Sequence, residues 1–533
     1  MMYTKNTPPR PVMAIGIEVA SPDLMQQWMR EGHLPTFAAL AEKGCFAPLR
    51  SNTEISSGSI WPAFSTGTTP QQNNQFFTHM QLQSGTYKIT KKYANDIPVE
   101  FFWRYLEAGG KKTCVIDVAQ TWPQPDLNGT LVAGWGSEYP GWKRSSNPPA
   151  LIRELVKTYR THPLCDVYRL SIRPETKRAY EDLVYNLHLG LDRKIGLTED
   201  VFARDQWDFF LSMFPETHWA MHLLYHTLDK SHPDYQPGMM PEAQNIFVEL
   251  LRKIDSCLAR LIQRRPEANV FVFSGSGMGP NYSGIHLLED VLDHMPAASG
   301  QASPNQATQK GVSLLPARRW KGNKVRGVEN LLSVTVLERL KKRVPKQIWD
   351  TTARRILFAG NRWKEVRAFS IPNDYSGAIR INLKGREPAG VVESGDEYDA
   401  LCRELTHELY QLINVDTGKP AVSEVISLAR LYGSNLLGDL PDLIVKWAND
   451  APIKAVASPT IGRVEKQSGE RRPGAHRDYG FMIASGDHIA PGAALEGAEL
   501  LDLIPTFFSL LEVPIPSHFD GHVLPCVRSG SYH

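Results

Sequence analysis

The chain of 533 residues is longer than one small hydrophobic core usually organises, although a large α/β unit with insertions reaches this size. Lys and Arg total 59 against 57 Asp and Glu, so the net charge of +2 implies no partner recognised by bulk charge. Six cysteines lie far apart without a CxxC pair, which favours reduced thiols over a disulfide framework or a thiolate metal site.

The amino-terminal segment, MMYTKNTPPRP, is polar and proline-rich and lacks the apolar core of a signal peptide. No apolar run in the chain approaches the ~20 residues needed to span a bilayer. We therefore expect a soluble, cytoplasmic protein that makes no membrane contact.

Residues 12–19, VMAIGIEV, predict a first buried strand that delivers Glu18 to its carboxyl end. Pro22 then opens a helix, and a second helix is predicted over residues 35–42. Residues 51–70, SNTEISSGSIWPAFSTGTTP, are dense in Ser, Thr and Gly. They either present a nucleophile or an anion cradle at a helix start, or form an ordinary capped surface loop.

Buried strands alternate with helices through the following part of the chain. Strands are predicted over residues 113–118 and 269–274, and helices over residues 149–159, 179–202 and 240–263. This alternation predicts βαβ units and a mostly parallel sheet flanked by helices. The predicted fold class is therefore α/β.

The most informative stretch is residues 207–226, WDFFLSMFPETHWAMHLLYH. Its apolar first half predicts a strand buried on both faces, and a short polar break separates that strand from His218, His222 and His226. If the chain turns helical there, the three imidazoles project from nearly one face at the carboxyl end of a central strand. Ligand sites in open parallel sheets collect at that edge. These histidines either hold a metal ion or pack in the interior.

Residues 295–310, MPAASGQASPNQATQK, have the composition of a flexible linker. The basic segment that follows, from Arg318 to Lys346, is either a solvated helix face or a patch that binds phosphate or nucleic acid. Short strands and a helix after residue 368 predict a smaller α+β lobe.

Buried strands return at residues 443–447 and 480–484, with His476 in a loop between them, and a helix is predicted over residues 500–511. We therefore expect residues 1–280 and 430–533 to form one discontinuous catalytic core. Residues 281–429 are expected to form an insertion or cap region.

Six segments, taken in order, resemble the alkaline phosphatase superfamily in its type I phosphodiesterase/nucleotide pyrophosphatase branch. They are GIEVASPDLMQQWMREGHLPTFAALAEKG, SSGSIWPAFSTGTTP, INLKGREPAGVV, PDLIVKW, GAHRDYGFMIASG and LDLIPTFFSLLEVPIPSHFDGHVL. The resemblance covers most of the chain and implies an alkaline phosphatase-like α/β fold with a smaller inserted α+β lobe. It also implies a metal-dependent hydrolase or transferase of the phosphodiesterase or phosphatase type, since members usually bind two divalent metals, commonly zinc.

The resemblance places the ligands of one metal on His218, His222 and His476. The family commonly has Asp at the first of these positions, but imidazole is an equally good zinc donor. One zinc ion held by three histidines is therefore expected, although another divalent metal fits the same donors. His226 and Asp229 are candidates for supporting roles around that ion.

The second metal of the family falls on Glu18, Gly275 and Ser276, and here the sequence departs from the family pattern. The family has Asp at the end of the first strand, Asp-His in an SDHGM turn, and His-Gly where residues 73 and 74 are both Asn. Glycine offers no donor and a serine hydroxyl is a poor zinc ligand, so we expect the second site to be lost. The nucleophile falls on Ser57, and without a second ion Glu18 becomes the candidate base that activates it.

Three functions remain open at this point. The first is a metal-dependent enzyme that acts on a phosphate-type ester or a related small-molecule group with one metal instead of two. The second is the same fold diverted to a non-phosphoryl reaction with the metal as Lewis acid, and the third is a catalytically inactive binding or scaffold descendant. A fourth idea, nucleic-acid binding through the basic segment, rests on charge alone. The expected partner is a small-molecule substrate, and an anionic compound is one candidate. The sequence gives no prediction of the oligomeric state.

Overall fold

The computed structural model describes residues 9–51, 55–77, 80–90, 92–124, 128–137, 144–164, 173–236, 241–300, 363–433, 438–468 and 472–528. The chain forms two compact units. The first comprises Met1–Thr78, Lys92–Tyr282 and Ser468–His533, and the second comprises His79–Lys91 and Ser283–Gln467. The sequence-based division assigned residues 79–91 and 430–467 to the catalytic core, whereas both ranges belong to the second unit.

The strands in chain order are β1 Val12–Ile17, β2 Cys45–Arg50, β3 Gln81–Leu82, β4 Ile89–Thr90, β5 Thr113–Ile116, β6 Thr130–Ala133, β7 Ser145–Asn147, β8 Phe209–Phe214, β9 Asn269–Phe273, β10 Gly277–Pro280, β11 Ala368–Ile371, β12 Gly377–Ile381, β13 Ile413–Asn414, β14 Val422–Ser427, β15 Leu443–Trp447, β16 Ala455–Ser458, β17 Gly462–Glu465, β18 Gly474–Arg477 and β19 Tyr479–Ser485.

The α-helices are α1 Pro22–Arg30, α2 Pro35–Lys43, α3 Ile60–Thr66, α4 Pro70–Asn73, α5 Phe102–Ala108, α6 Leu151–Tyr159, α7 Lys177–Ala203, α8 Glu216–Leu224, α9 Pro241–Gln244, α10 Ile246–Arg264, α11 Leu288–His294, α12 Pro296–Ser299, α13 Asp396–Tyr410, α14 Leu428–Tyr432 and α15 Leu503–Leu510. Most predicted elements are present within a few residues. The helix predicted over residues 240–263 is divided between α9 and α10.

The first unit is built on an eight-stranded sheet with the order β2-β19-β9-β1-β8-β5-β6-β7. Its central strands run parallel, since β1 pairs with both β8 and β9 and β5 pairs with both β8 and β6. The outer strands β7, β19 and β2 pair antiparallel. This mostly parallel sheet, flanked by helices, confirms the predicted fold class.

The burial of strand β1 shows that the sheet is covered on both faces. All six of its residues are buried, and their side chains alternate between two separate hydrophobic clusters. Met13, Ile15 and Ile17 belong to one cluster, while Val12 and Ala14 belong to the other. A strand with helices on both sides has no polar face, which is why residues 12–17 are continuously apolar.

Helix α2 shows how a distant side chain fixes a helix start. Pro35 at its first turn has no backbone N–H to satisfy. The carboxylate of Asp255, on α10, accepts the backbone N–H groups of Thr36 (3.2 Å) and Phe37 (2.8 Å). Asp255 is buried, so its charge is held in place by these donors and by the positive end of the helix.

The second unit has its own core and its own sheets. Strands β11-β12-β15-β14 form an antiparallel sheet, and β13-β16-β17 form a three-stranded one. Helices α11, α12 and α13 supply residues to its hydrophobic cluster. The second unit thus combines antiparallel sheets with helices, which confirms the predicted smaller α+β lobe.

The predicted linker at residues 295–310 is wrong where the structure describes it. Pro296–Ser299 forms a short helix, and Met295, Ala297 and Ala298 are buried in the core of the second unit. Small apolar residues that carry linker composition therefore pack here as core residues. Residues 301–310 and the basic segment from Arg318 to Lys346 lie outside the described residues. No helix in the described ranges combines the length and apolar character that a membrane-spanning helix needs.

Candidate metal centre

Three neighbouring parallel strands end at the same edge of the central sheet, and each delivers a predicted site residue there. Glu18 follows β1, and its backbone N–H donates to the carbonyl of Phe214 at the end of β8 (3.0 Å). Ser276 follows β9, and its carbonyl accepts the backbone N–H of Ala20 (3.0 Å). The sheet thus brings residues far apart in sequence to one edge, as expected for a ligand site in an open parallel sheet.

Helix α8 carries two of the three predicted ligands. It begins directly after β8, and all nine of its residues are buried. His218 and His222 are one helical turn apart, so both imidazoles lie on the same face. The predicted single face for three histidines is wrong for His226, because the α-helix ends at Leu224 and His226 lies in the 3-10 turn Tyr225–Thr227.

His476 lies in strand β18, so its predicted position in a loop is wrong. Strand β18 pairs antiparallel with β10, and His476 is opposite Met278 in this ladder. Gly474 allows β18 to approach α8, since a Cβ at that position would lie 2.2 Å from the backbone oxygen of Met221. The short strand is hidden in the sequence because its residues, GAHR, are too few to show an alternating pattern.

The Nε2 atoms of the three imidazoles converge. Nε2 of His476 lies 3.2 Å from Nε2 of His218 and 3.2 Å from Nε2 of His222. The possible ligand atoms of the three residues all lie within 4.8 Å of one another. Among the described residues, this is the one group of three or more His, Cys, Asp or Glu side chains arranged closely enough to hold an ion.

The Nδ1 atom of each imidazole faces an oxygen. Nδ1 of His222 lies 2.9 Å from the carbonyl oxygen of Gly474, and Nδ1 of His476 lies 2.9 Å from Oγ of Ser276. Nδ1 of His218 lies 3.4 Å from Oε1 of Glu18, within ion-pair range. Metal-binding histidines usually donate their other ring N–H to such an oxygen, which orients the ring.

Burial keeps the imidazoles of His222 and His476 neutral. It lowers the pKa of His222 well below the ordinary value of 6.5, and the neighbouring His218 and the guanidinium of Arg472 lower that pKa further. The pKa of His476 is also lowered well below 6.5, first by burial and then by His218, Arg472 and Arg477. Only neutral imidazole has a lone pair for a metal, so both residues are in ligating form at neutral pH.

The donor set fits a divalent cation. A carbonyl oxygen can only accept, so Nδ1 of His222 carries the proton and its Nε2 presents a lone pair. The carboxylate of Glu18, near Nδ1 of His218, favours a proton on that nitrogen as well, which leaves a lone pair on Nε2 of His218. In a tetrahedral zinc site with Zn–N distances of 2.0–2.1 Å, two imidazole nitrogens lie about 3.4 Å apart. The two observed separations of 3.2 Å are close to that value.

Ser57 occupies the start of a helical segment. It opens the 3-10 turn Ser57–Ser59, which leads directly into α3, and it is partly exposed while Ser56 and Ser59 are buried. The turn is fixed from within, because the Ser56 hydroxyl accepts the N–H of Gly58 (3.2 Å). It is also fixed from outside, because the side-chain amide of Gln120 donates to the carbonyl of Gly58 (3.1 Å). A rigid turn with one partly exposed serine is a suitable position for a nucleophile.

The space beside Gly275 is filled by apolar side chains. A Cβ at this position would lie 2.7 Å from Cγ2 of Ile60 and 3.4 Å from side-chain atoms of Leu500 and Trp61. A larger side chain would therefore displace a buried, β-branched residue. The neighbouring Ser276 directs its hydroxyl to His476. The turn after β9 thus supplies no carboxylate or imidazole to a second ion.

Residues 12–434 match the sequence model of the family described as type I phosphodiesterase/nucleotide pyrophosphatase. The chain belongs to this family. The family is metal-dependent and consists of hydrolases, and the predicted superfamily is thereby confirmed. No curated protein matches the sequence.

Solved structures that match this family member have low sequence identity to it. A phosphonoacetate hydrolase from Sinorhizobium meliloti in complex with phosphonoformate is 11% identical, with a TM-score of 0.49 and coverage of 95% of this chain and 96% of that one. Human ectonucleotide pyrophosphatase/phosphodiesterase 5 is 12% identical, with a TM-score of 0.44 and coverage of 97% and 100%. A mutant of alkaline phosphatase PafA is 12% identical, with a TM-score of 0.48 and coverage of 97% and 99%.

Two residues predicted to support the metal contact other groups. The hydroxyl of Tyr180 lies 3.0 Å from Nε2 of His226, and burial lowers the pKa of His226 to about 4. The carboxylate of Asp229 accepts the backbone N–H (2.8 Å) and the hydroxyl (2.6 Å) of Ser231 in an exposed loop. Both residues therefore have local structural roles in the type I phosphodiesterase fold of this chain.

Sequence reasoning missed the orienting contacts of this family member. Glu18 and Ser276 were noted as remnants of a lost ligand set, but in the structure they face His218 and His476. Their part in orienting the imidazoles depends on pairings between distant segments, which no local pattern records. Asn73, at a position where the family has His, is buried and bonds the backbone of Thr68 and Gln75.

Proposed function

We propose that this chain is a hydrolase of phosphate-type esters or related small anionic groups that uses one divalent ion, with zinc as the best match to the donors. The convergence of three Nε2 atoms from His218, His222 and His476 carries this proposal. Three imidazoles leave one position of a tetrahedral zinc open to water or substrate. When bound, such an ion supplies Lewis-acid polarisation of an oxygen and lowers the pKa of bound water to roughly 7.

Ser57 is the proposed nucleophile. It is partly exposed at the start of a rigid turn, and the helical amino end that follows favours negative charge developing near it. Glu18 is the proposed base, because it is a buried carboxylate retained at the edge of the sheet where the nucleophile loop is expected. In this proposal Glu18 has a second task, which is to orient His218 through Nδ1.

The substrate is proposed to be a small anion. The positive charge of Arg472 lowers the pKa of both His222 and His476. The same charge therefore acts at the proposed metal position, where the three imidazoles converge. A cationic side chain beside a metal attracts anionic substrates and repels cationic ones. The phosphodiesterase family of the chain is consistent with this substrate class.

The test combines metal content with a substrate screen. Elemental analysis of the purified protein is expected to give about one zinc per chain. Hydrolysis of a phosphodiester, a phosphomonoester and a sulfate ester is then measured for the wild type and for Ser57→Ala. We expect Ser57→Ala to keep its zinc and to lose turnover.

Three outcomes separate the open functions. Zinc binding together with ester hydrolysis supports the proposal. Zinc binding without hydrolysis of any of the three esters favours a non-phosphoryl reaction with the ion as Lewis acid. Absence of bound metal after gentle purification contradicts the proposal and favours a catalytically inactive binding protein.

A further inference from the structure

Ser276 is a buried residue whose backbone is fixed independently of its side chain. It is 1% exposed, and its carbonyl accepts both the N–H of Ala20 (3.0 Å) and the hydroxyl of Ser274 (2.8 Å). These contacts hold the turn after β9 in place. The side chain then points its Oγ at Nδ1 of His476, 2.9 Å away.

The other two imidazoles of the centre have oxygens opposite Nδ1 that favour one proton arrangement. The carbonyl of Gly474 accepts from Nδ1 of His222, so His222 presents a lone pair at Nε2, and the carboxylate of Glu18, 3.4 Å from Nδ1 of His218, favours the same arrangement in His218. Both lone pairs face Nε2 of His476 at 3.2 Å. His476 is therefore the imidazole at which the proton arrangement of the centre can vary.

Two arrangements of His476 are compatible with this geometry. Without an ion, a proton on Nε2 is shared between the two facing lone pairs, and Nδ1 accepts a hydrogen bond. With an ion, Nε2 presents a lone pair, and Nδ1 carries the proton and donates it to an oxygen. A carboxylate or a carbonyl opposite Nδ1 supports only the second arrangement, whereas a hydroxyl donates in the first and accepts in the second.

We propose that Ser276 is a positioning residue for His476, whose hydroxyl supports the ring both before and after the ion binds. This inference rests on the proposed single-ion function. It gives the turn after β9 a role in the remaining metal centre, although the turn supplies no ligand of its own. Loss of the hydroxyl leaves a buried ring nitrogen without this partner in either state, and loss of an orienting partner typically lowers metal affinity by about 10–100-fold.

Three variants of the full chain test the inference. Ser276→Ala removes the hydroxyl, and Ser276→Thr retains one. The matched control is Ser212→Ala, because Ser212 is equally buried in the same unit and its hydroxyl bonds Thr198 (3.0 Å) instead of a histidine. The dissociation constant for zinc is measured by competition with a chelator, and the melting temperature is measured on the metal-free proteins.

We expect Ser276→Ala to bind zinc about 10–100-fold more weakly than the wild type, while Ser276→Thr recovers most of the affinity and Ser212→Ala matches the wild type. The metal-free melting temperatures of the two alanine variants are expected to fall by similar amounts, which separates positioning from general loss of packing. If the wild type binds one zinc and Ser276→Ala binds it equally well, or if Ser212→Ala weakens binding to the same extent, the inference is overturned and the proposed function stands. If the wild type binds no zinc, both fail.

Discussion

Two turns at the same edge of the central sheet present different side chains. The turn after β8 leads into a fully buried helix that presents His218 and His222. The turn after β9 consists of Ser274, Gly275 and Ser276, and the space beside its glycine is filled by Ile60. One turn leads to two converging imidazoles, whereas the other carries small residues and apolar packing.

This difference teaches that neighbouring turns at one sheet edge can present different chemistry, because each depends on a different strand end and on different packing partners. The three imidazoles are brought together by β18, which reaches α8 because Gly474 leaves room for the backbone of Met221. The space beside Gly275 is filled from the side of α3. Apolar packing beside Gly275 therefore coexists with the convergence of the three imidazoles.

The largest expected effect comes from His222→Ala, which removes a ligand from the retained turn. Zinc affinity is expected to fall by more than about 100-fold, since two imidazoles cannot complete a three-ligand site. His226→Ala is the matched control, because it removes a buried histidine one turn further along that bonds Tyr180. The control is expected to keep its zinc and to lose about 1–3 kcal/mol of stability. Equal zinc content in both variants would contradict the assignment of the ligands.

A smaller effect is expected for Glu18→Gln, which leaves the ligands in place. The carboxamide is a weaker acceptor for Nδ1 of His218, so zinc affinity is expected to fall by about tenfold. Turnover at saturating zinc is expected to remain reduced, because the proposed base is also gone. Full recovery of turnover at high zinc would show that Glu18 orients His218 and takes no proton from the nucleophile.

Gly275→Asp tests whether a carboxylate placed in the turn after β9 can bind an ion. The new side chain meets Ile60, and we expect a loss of about 1–3 kcal/mol of stability from overpacking, without a gain in zinc per chain. Combination with Ile60→Ala relieves the contact and is expected to recover part of the lost stability. A second zinc in the single variant would show that Ile60 does not close the position. Chemical unfolding and elemental analysis provide the two readouts.

The smallest expected effect is the pH dependence of the unfolding free energy that comes from His226. This imidazole packs in the interior and is not one of the three proposed ligands. Burial lowers the pKa of His226 from 6.5 to about 4, so the unfolded chain takes up its proton first as the pH falls. The stabilising contribution of the neutral ring is complete above pH 6.5 and is lost between pH 6.5 and about 4. In the metal-free protein this one group contributes a slope of up to ~1.4 kcal/mol per pH unit. His226→Gln is expected to show a shallower decline in unfolding free energy between pH 7 and pH 5.

The sequence predicted the parts of the fold that local patterns encode. The buried runs at residues 12–19 and 207–214 correctly indicated central parallel strands, because burial on both faces removes polar residues from the chain. The same local reasoning failed for His226 and His476. His226 contacts Tyr180, and the short strand β18 pairs with β10; both partners are distant in sequence. The family resemblance indicates the three proposed ligands, whereas their Nδ1 partners required the structure.

The pairing of β10 with β18 sets the order in which the centre can be assembled. His222 and His476 are separated by 254 positions along the chain. At a synthesis rate of 5–20 residues per second, roughly 10–50 s elapse between the emergence of one ligand and the other. During that interval the nascent chain carries two imidazoles of the set, a combination that binds zinc weakly. Under the proposed single-ion function, the full set of three imidazoles is therefore available only after β18 has been synthesised and has paired with β10.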